Sequence, residues 1–369
     1  MSTYELIFDG TAADAALYDS VSLIEVEENI DMPSAMQLTT SVNRSDRGDL
    51  TLVGDARLQP FTNVALVVSA DGETSQCVFD GYVLSHKLHL EAGVTSSTLQ
   101  VWSQDATWMM NLEEKVKEWA DVTDADVAAS IFADYGITPS GDNRADNSPS
   151  HTEDKHTLMQ RGSDIQFLRM LARRNGKLCR VACDDKPGLR TGFFAKPALG
   201  SAPELTIVAI DLDAPTVASL DFEWDVTRPS SVQARQALFD DAAEDGVSAE
   251  PDDSGLTPLA ERGLADFAGK TMSVLLTAPV DDAGELAHRA TSVLREAGWF
   301  VRCEGETDAD RLKAILRAGS IVAIAAAGTL NSGNYLVWSV RHSITADSHR
   351  MKFVLVRNAV GPASMGGAS

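Results

Sequence analysis

The stretch LMQRGSDIQFLRMLARRNGKL, residues 158–178, predicts a helix whose two ends are both marked in the sequence. Ser163 is a favourable N-cap residue, and Gln166 three positions later completes the capping-box pattern. Gly176 follows the helical pattern and can end the helix in the left-handed conformation. One buried face is predicted from apolar residues that recur at helical spacing: Ile165, Leu168, Leu171 and Ala172.

This helix is basic, although the chain is acidic. Arg169, Arg173 and Arg174 lie on it, and the last two stand in the final turn, where cations favour the helix dipole. Residues 155–196 contain ten Lys and Arg against three Asp and Glu, a local charge of +7, whereas the 369-residue chain carries −23. So acidic a chain excludes a broad nucleic-acid interface, because such an interface needs a basic footprint.

The remaining composition indicates a soluble protein made in the cytoplasm. Hydrophobic residues make up 44% of the chain, enough for a sizeable core. The first ten residues, MSTYELIFDG, lack the charged and apolar regions of a secretory signal. The longest apolar runs, such as SIVAIAAAG at 320–328, are too short to span a bilayer. Four cysteines form no disulfide framework, which fits a reducing compartment: Cys77, Cys179, Cys183 and Cys303.

The pattern of short strands and turns predicts an α+β fold. Two similar small antiparallel β-barrels are expected, with two α/β modules inserted between their parts. A helix is predicted over 123–136, and a hairpin from KLCRVACDD and RTGFFAK. The acidic segment 240–255 is predicted to be a mobile loop, and the tail 361–369 is predicted to fray. The predicted boundaries are 1–105 for the first barrel, 106–200 for an α/β hub module, 201–240 with 311–369 for the second barrel, and 241–310 for a second insertion.

Two segments of the predicted barrels resemble each other. Residues 63–106 and 319–359 each contain a strand, a turn with glycine, a long strand entered through a tyrosine, and a final alternating strand. His86 and His342 occupy comparable places in the long strands. This internal similarity predicts that one β-architecture occurs twice. The alternative is that any two β-meanders look alike.

No residue pattern predicts catalysis or a cofactor. Cys179 and Cys183, with His151 and His156 before them, lack the tight spacing of a four-ligand zinc site, so no metal is predicted. Nucleophile-elbow, zinc-protease and P-loop motifs are absent from the sequence. Three acidic pairs are interpreted as solvated loops: Asp240-Asp241, Asp252-Asp253 and Asp281-Asp282. We therefore expect a protein without enzymatic activity.

The helix of residues 158–178 is similar to a segment of the late control protein D and VgrG families, written Q-x-x-E-S-D-x-x-F-L-x-R-L-A-x-x-x-G. Gly162 stands where the family often has Glu. The segment from Asp126 to Ile137 and the C-terminal strands, GNYLVWSVRHSI among them, also resemble these families. The residues that match the motif are Gln160, Ser163, Asp164, Phe167, Leu168, Leu171, Ala172 and Gly176.

The resemblance implies the central baseplate hub of a contractile tail or injection machine. Such hubs are homotrimers that join a hexameric tail tube to a trimeric spike. The implied partners are further copies of the chain, the tail tube protein, a separate spike protein, and wedge or tape-measure components. The implied location is a phage tail or tail-like particle assembled from cytoplasmic protein, with no specific nucleic acid and no membrane insertion.

Two hypotheses concern surfaces. Arg169, Arg173, Arg174 and Trp338 are predicted to contact a neighbouring subunit or spike; the alternative for the arginines is a solvated helix face. The acidity predicts a negative lumen or outer face, past which anionic cargo could slide. Two other functions stay open, a hydrolase of cell-wall glycan and a different tail adaptor or tube initiator.

Overall fold

The computed structural model describes residues 2–44, 48–70, 74–92, 97–144, 150–153, 157–210, 215–236, 247–249, 253–278 and 283–362. The predicted mobile loop 240–255 and the predicted frayed tail 361–369 lie largely outside these residues. Asp240-Asp241, Asp281-Asp282 and His156 also lie outside them.

The strands are β1 (Thr3–Phe8), β2 (Thr11–Ala12), β3 (Val21–Asn29), β4 (Ala35–Ser41), β5 (Asn63–Ser69), β6 (Gln76–His89), β7 (Thr98–Asp105), β8 (Glu114–Trp119), β9 (Val122–Thr123), β10 (Thr138–Pro139), β11 (Ser150–His151), β12 (Leu158–Ser163), β13 (Leu178–Cys183), β14 (Arg190–Ala195), β15 (Leu205–Val208), β16 (Ser219–Trp224), β17 (Ser231–Gln236), β18 (Val247–Ala249), β19 (Ser273–Leu276), β20 (Val301–Asp308), β21 (Ile321–Ala325), β22 (Gly333–Ile344) and β23 (His349–Arg357). The α-helices are α1 (Ala15–Tyr18), α2 (Asp124–Asp134), α3 (Asp164–Arg174), α4 (Leu264–Ala268), α5 (Ala283–Ala297), α6 (Ala309–Leu312) and α7 (Gly328–Asn331), and short 3-10 helices span Ala56–Leu58, Ala106–Asn111 and Gly141–Arg144.

Thirteen strands form one large sheet. Its strand order is β16-β20-β23-β22-β3-β4-β7-β6-β5-β1-β2, and β21 with β15 branches from β22. Many of its strands alternate between buried and more exposed residues, as β4 does along its whole length, because one face covers the core and the other meets solvent. A single hydrophobic cluster fills the core, from Leu6 near the N-terminus to Val360 near the C-terminus.

The large sheet consists of two units with the same strand order. The first unit contains β1, β3, β4, β5, β6 and β7, and the second contains β15, β16, β20, β21, β22 and β23. When the strands of each unit are numbered one to six along the chain, both units have the order two-three-six-five-four-one. The direction of the first strand differs: β1 is antiparallel to β5, whereas β15 is parallel to β21.

The prediction of two separate closed barrels needs correction. Among the described residues the hydrogen-bonded path closes in neither unit, and the units merge where β22 pairs with β3. The physical reason is that β22 is longer than its neighbour β21. Its first half pairs with β21, and its second half, Ser339–Ile344, extends beyond β21 and pairs with the other unit.

Residues 106–200, for which the name hub module is kept, contain the predicted helix and the predicted hairpin. The helix α2 begins after Thr123, whose side chain and that of Asp126 form a capping box, and the predicted face with Val127 and Ile131 is buried. The hairpin of β13 and β14 is antiparallel, and β10 joins it as a third strand. Gly192 lies on this sheet directly under Phe132 of α2, where a Cβ atom would approach the ring to 2.6 Å. This close contact fixes the helix against the sheet.

The boundary of the second insertion differs from the prediction in two places. The predicted insertion 241–310 includes β20, but β20 lies inside the large sheet between β16 and β23. Conversely, β17 was predicted in the second barrel, and it lies instead in a three-stranded sheet with β18 and β19, which α5 covers. Strand pairing over long sequence separations decides both assignments, and a local pattern does not contain it.

Candidate functional site

The basic helix of the sequence is α3, and it lies where the hub module meets the second insertion. Ser163 and Gln166 form the predicted capping box, and the predicted apolar face is buried. Gly176 has the left-handed φ of +60° that ends the helix. A Cβ atom there would lie 2.8 Å from Cα of Ser292 on α5, so glycine also permits the close contact of the two modules.

Arg174 has an ion-pair partner within the chain. Its Nη2 donates to both carboxylate oxygens of Asp124, at 2.8 and 2.9 Å, and Asp124 is fully buried. His151 Nε2 lies 2.8 Å from the same carboxylate, and Asn175 donates to it at 2.6 Å. Burial acts to raise the pKa of Asp124, but the contacts with His151, Arg174 and Asn175 outweigh it, so the pKa lies below its usual range. Arg174 thus joins α3 to the start of α2, a role that the sequence did not reveal.

A second buried network surrounds Asp164 at the other end of α3. Lys115 Nζ lies 2.6 Å from its carboxylate, and Tyr135 and Gln160 donate to it at 2.7 and 2.6 Å. Burial works against the charge, but these three donors leave the pKa of Asp164 lowered. The two networks hold α3 in a fixed orientation on the module.

Arg169 and Arg173 differ from Arg174, because no hydrogen-bond partner is found for their side chains among the described residues. Arg173 is exposed, and Arg169 is half-buried, with Nε and Nη2 out of contact with solvent and unbonded. Both lie near Asp31 of the first unit. The pKa of Asp31 is raised, because the effect of burial exceeds the opposing effect of the two positive charges. Of the two, only Arg173 is exposed on the surface of α3.

Arg173 and Trp338 line the same cavity, which has a volume of about 550 Å³. It lies between the hub module, the second insertion and the second unit, and Asp31, Arg228 and Trp299 also line it. Trp338 packs against Trp299 with ring centroids 6.1 Å apart. The structure therefore brings together two of the four residues predicted for an interface, Arg173 and Trp338, and leaves Arg174 outside this cavity.

Trp338 also marks the place where the two units join. It is a bulge residue of β22, between Val337 and Ser339, and its carbonyl oxygen accepts a hydrogen bond from the Ile30 N–H at 3.1 Å. In the first unit, Leu84 is the bulge residue at the matching position of β6. The shared bulge adds to the shared strand order as a sign that the two units follow one design.

Two features of the junction were missed at the sequence level. Glu28 of β3 forms an ion pair of 2.7 Å with Arg317 of the second unit, and both are largely buried. Cys183 of the hub module lies against Cys77 of the first unit, although the two are 106 positions apart. Glu28 follows Ile24 and Val26 on the buried face of its strand, where an apolar residue is expected. This departure was the one signal in the sequence that could have indicated a buried ion pair.

The described part of the chain contains no group of three or more His, Cys, Asp or Glu side chains arranged to hold a metal ion. His151 contacts Asp124, and it does not meet the two cysteines that the sequence considered with it. Within the same residues, no helix combines the length and the apolar character needed to cross a membrane.

The sequence matches the family model named Alg8_N, the Alg8 N-terminal domain, over residues 1–346. The chain belongs to this family. The Alg8_N match includes the first unit, the hub module and most of the second unit, and its description names no reaction. Late control protein D is not the family that matches, so this part of the resemblance stays a prediction. No curated protein matches the sequence.

Solved structures share the fold along nearly the whole chain. A tail protein from Neisseria meningitidis MC58 has a TM-score of 0.66 at 14% identity, with 97% of each chain covered. The 43 kDa tail protein of prophage MuSo2 from Shewanella oneidensis has a TM-score of 0.65 at 15% identity, with 98% of this chain and 100% of that one covered. The E. coli c3393 protein, described as a type VI secretion component similar to phage T4 tail proteins gp27 and gp5, has a TM-score of 0.56 at 11% identity, with coverages of 97% and 79%. The fold is thus shared with phage tail proteins and with a component of a type VI secretion system.

Proposed function

We propose that the chain is a structural baseplate hub, without enzymatic activity or a cofactor, in a phage tail or tail-like injection particle. Three copies would form a ring that joins the hexameric tail tube to a separate trimeric spike, with wedge or tape-measure components as further partners. The observation that carries this proposal is the identical strand order of the two units. Three chains with two such units each present six similar surfaces, which allows a threefold assembly to match a sixfold one.

The junction inside the chain provides a template for the junction between chains. Within the chain, the second half of β22, the fifth strand of the second unit, pairs with β3, the second strand of the first unit. The fifth strand of the first unit and the second strand of the second unit are left without such a partner among the described residues. They are the second half of β6 on its edge away from β7, and β16 at the end of the large sheet. We call the pairing of β22 with β3 the inner junction. A copy of it between chains would pair β6 of one chain with β16 of the next.

The side chains of these two edges are complementary in charge. The registers within each unit make Lys87 equivalent to Arg341, and Asp221 and Glu223 equivalent to Glu25 and Glu27. Inside the chain, Arg341 Nη2 lies 2.7 Å from Glu25. The same register between chains places exposed Lys87 beside exposed Asp221 and Glu223. Opposite charges on paired strands stabilise the pairing, and like charges oppose it.

The inward face of the same edges is apolar. Leu88 and Phe222 are half-buried against the core, and the inner-junction register makes them direct partners. Leu90 and Trp224 are 57% and 52% exposed on the same edges. An exposed apolar strand edge invites pairing with another chain, and pairing would cover all four side chains. These contacts are heterologous, so they form a closed ring when the rotation closes.

The outward face of the large sheet fits the lining of a channel. Glu25 and Glu27 lie on β3, and Glu304 and Glu306 lie on β20 of the same sheet. Between them run β22 and β23, which carry basic residues such as Arg341. This charged and net acidic surface supports the hypothesis of a hydrophilic lumen that repels anionic cargo from its wall. An electrostatic potential mapped onto the structure of the assembled ring would contradict this part of the proposal if the channel wall were basic.

The test is the mass and shape of the purified protein. Light scattering after size exclusion should give three times the 39.5 kDa of one chain, and electron micrographs should show a ring with six similar densities. Lys87→Glu should shift the population towards monomer, because it places like charges across the proposed junction. The double charge reversal of Lys87→Glu with Glu223→Lys should restore the ring.

The matched control is Lys352→Glu, which reverses an exposed lysine on β23, outside the proposed edges, and should keep the ring. A monomer from the unaltered chain at every concentration would contradict the hub proposal and favour another role, such as a hydrolase or an adaptor. Co-purification with a tail tube and a spike protein distinguishes a hub from other tail adaptors.

A further inference from the structure

We propose that Cys77 and Cys183 are an oxidisable thiol pair whose disulfide covalently joins the first β unit to the hub module. Cys77 lies on β6 of the first unit, and Cys183 ends β13 of the module. The Cys183 thiol donates to the carbonyl oxygen of Cys77 at 2.6 Å, so the two residues are in direct contact. This modification is independent of the proposed hub function.

The thiol of Cys77 donates to the carbonyl oxygen of Phe79 at 3.3 Å. Its interaction with Cys183 together with burial raises the pKa of Cys77 far above its usual range. Cys77 therefore keeps its proton and acts as the resolving thiol, while Cys183 is the group that reacts first. The Cys183 sulfur already touches the backbone of Cys77, so a rotation of the two side chains can bring the sulfur atoms towards the S–S distance of about 2.05 Å.

Cys183 has the surroundings of a reactive thiol. The Arg317 guanidinium lies 3.6 Å from its sulfur, where a positive charge stabilises the negative charge that develops on an attacking sulfur. Cys183 is half-buried and lines a cavity of about 20 Å³, enough for a molecule of about the size of water. Because Cys183 is only half-buried, a small oxidant such as hydrogen peroxide can reach its sulfur from solvent.

The reaction balances in two steps. The Cys183 thiolate attacks one oxygen of hydrogen peroxide, the O–O bond breaks, and the products are the Cys183 sulfenic acid and, after protonation, one water. The Cys77 sulfur then attacks the sulfenic sulfur, the S–O bond breaks, and the departing hydroxide takes the Cys77 proton to form a second water. Overall, two thiols are oxidised and one peroxide is reduced to two waters.

The other two cysteines provide an internal control. Cys179 and Cys303 are buried, and burial is the main cause that raises the pKa of each to about 12. Among the described residues, neither forms a hydrogen bond to another sulfur, and a protonated, buried thiol is inert to peroxide. Cys179 lies on the same strand as Cys183, so a Cys179→Ser variant is a matched control.

The experiment treats the reduced full-length chain with hydrogen peroxide, blocks the remaining thiols, and maps the peptides by mass spectrometry. We expect a linked peptide containing Cys77 and Cys183, and a loss of two of the four thiols that a reducing agent reverses. Cys183→Ser should abolish this loss, whereas Cys179→Ser should leave it unchanged. The oxidised chain should also unfold at higher urea concentration than the reduced chain, because the bond closes a loop of 106 residues.

Three results would overturn the inference. The first is the absence of the linked peptide with peroxide and also with diamide, a second thiol oxidant. The second is a linkage between two different chains, seen as a dimer under non-reducing conditions. The third is oxidation of Cys179 or Cys303 at the rate of Cys183.

Discussion

The two β units share a strand order but differ in what surrounds their equivalent strands. In the second unit, the second half of β22 is covered by β3, and His342 on it is fully buried. In the first unit, the second half of β6 has no strand on this edge among the described residues, and Leu88, which the register makes equivalent to His342, is only half-buried. The difference suggests that β6 is a junction surface whose partner lies in another chain.

The largest effect is expected at the inner junction. Glu28→Ala leaves the buried guanidinium of Arg317 without its partner, which should lower the free energy of unfolding by about 4 kcal/mol. Urea denaturation followed by tryptophan fluorescence measures the change. Glu27→Ala on the same strand removes an exposed carboxylate and should change stability little. Equal effects of the two variants would show that the junction does not depend on the buried ion pair.

Acid should weaken the second unit through its histidine pair. His342 Nδ1 lies 3.0 Å from His349 Nε2 in the core. The pKa of both is lowered to about 3, mainly by burial. Arg317 contributes to the shift at His342, and His342 contributes to that at His349, where Asp310 partly opposes it. The unfolded chain binds protons near pH 6.5, so stability is full above that pH and is lost as the pH falls towards 3.

Between pH 7 and 5, each buried histidine should contribute a loss of about 2 kcal/mol in the free energy of unfolding. The measurement is the slope of stability against pH in this window. Replacing His342 and His349 together by Gln should flatten the slope, whereas His86→Gln in the first unit should not. A slope that persists in the double variant would assign the acid sensitivity to other groups.

The two bulges allow the equivalent positions to be compared directly. Trp338→Ala removes a half-buried ring that packs on Trp299 and should cost about 2 kcal/mol of unfolding free energy, against about 1 kcal/mol for Leu84→Ala. Thermal unfolding of both variants measures the ratio. Identical losses would mean that the bulge in the second unit carries no additional packing role.

The smallest effect is expected for the exposed ion pair of the inner junction. Arg341→Ala removes a partner of Glu25, and exposed pairs contribute about 0.5 kcal/mol, so stability should change little. Urea denaturation checks this value. If Lys87→Ala weakens the oligomer while Arg341→Ala leaves unfolding unaffected, then the equivalent charges act mainly in assembly. A loss of several kcal/mol with Arg341→Ala would contradict this division of roles.

The sequence predicted the features that local interactions determine. The caps and buried face of α3 follow from residues within four positions of each other, and so does the start of α2 at Thr123. The repeated strand pattern predicted that one β-architecture occurs twice. The sequence could not assign β17 and β20 to their sheets, because their partners are far along the chain.

Less of the site could be predicted. Arg173 and Trp338 line one cavity, but Arg174 forms an ion pair with Asp124, which is fifty positions away in the sequence. The contact of Cys77 with Cys183 likewise arises only when β6 and β13 fold together. A pattern of residue types indicates which side chains are charged or reactive, but the tertiary fold decides which of them have partners.

The most direct test of the account is a cryo-EM reconstruction of the assembled protein. We expect a threefold ring of six β units in which β6 of each chain pairs with β16 of the next, with Lys87 beside Glu223 as Arg341 lies beside Glu27. A particle in which these two edges face solvent, or in which the two units of a chain lie at different radii, would contradict the account.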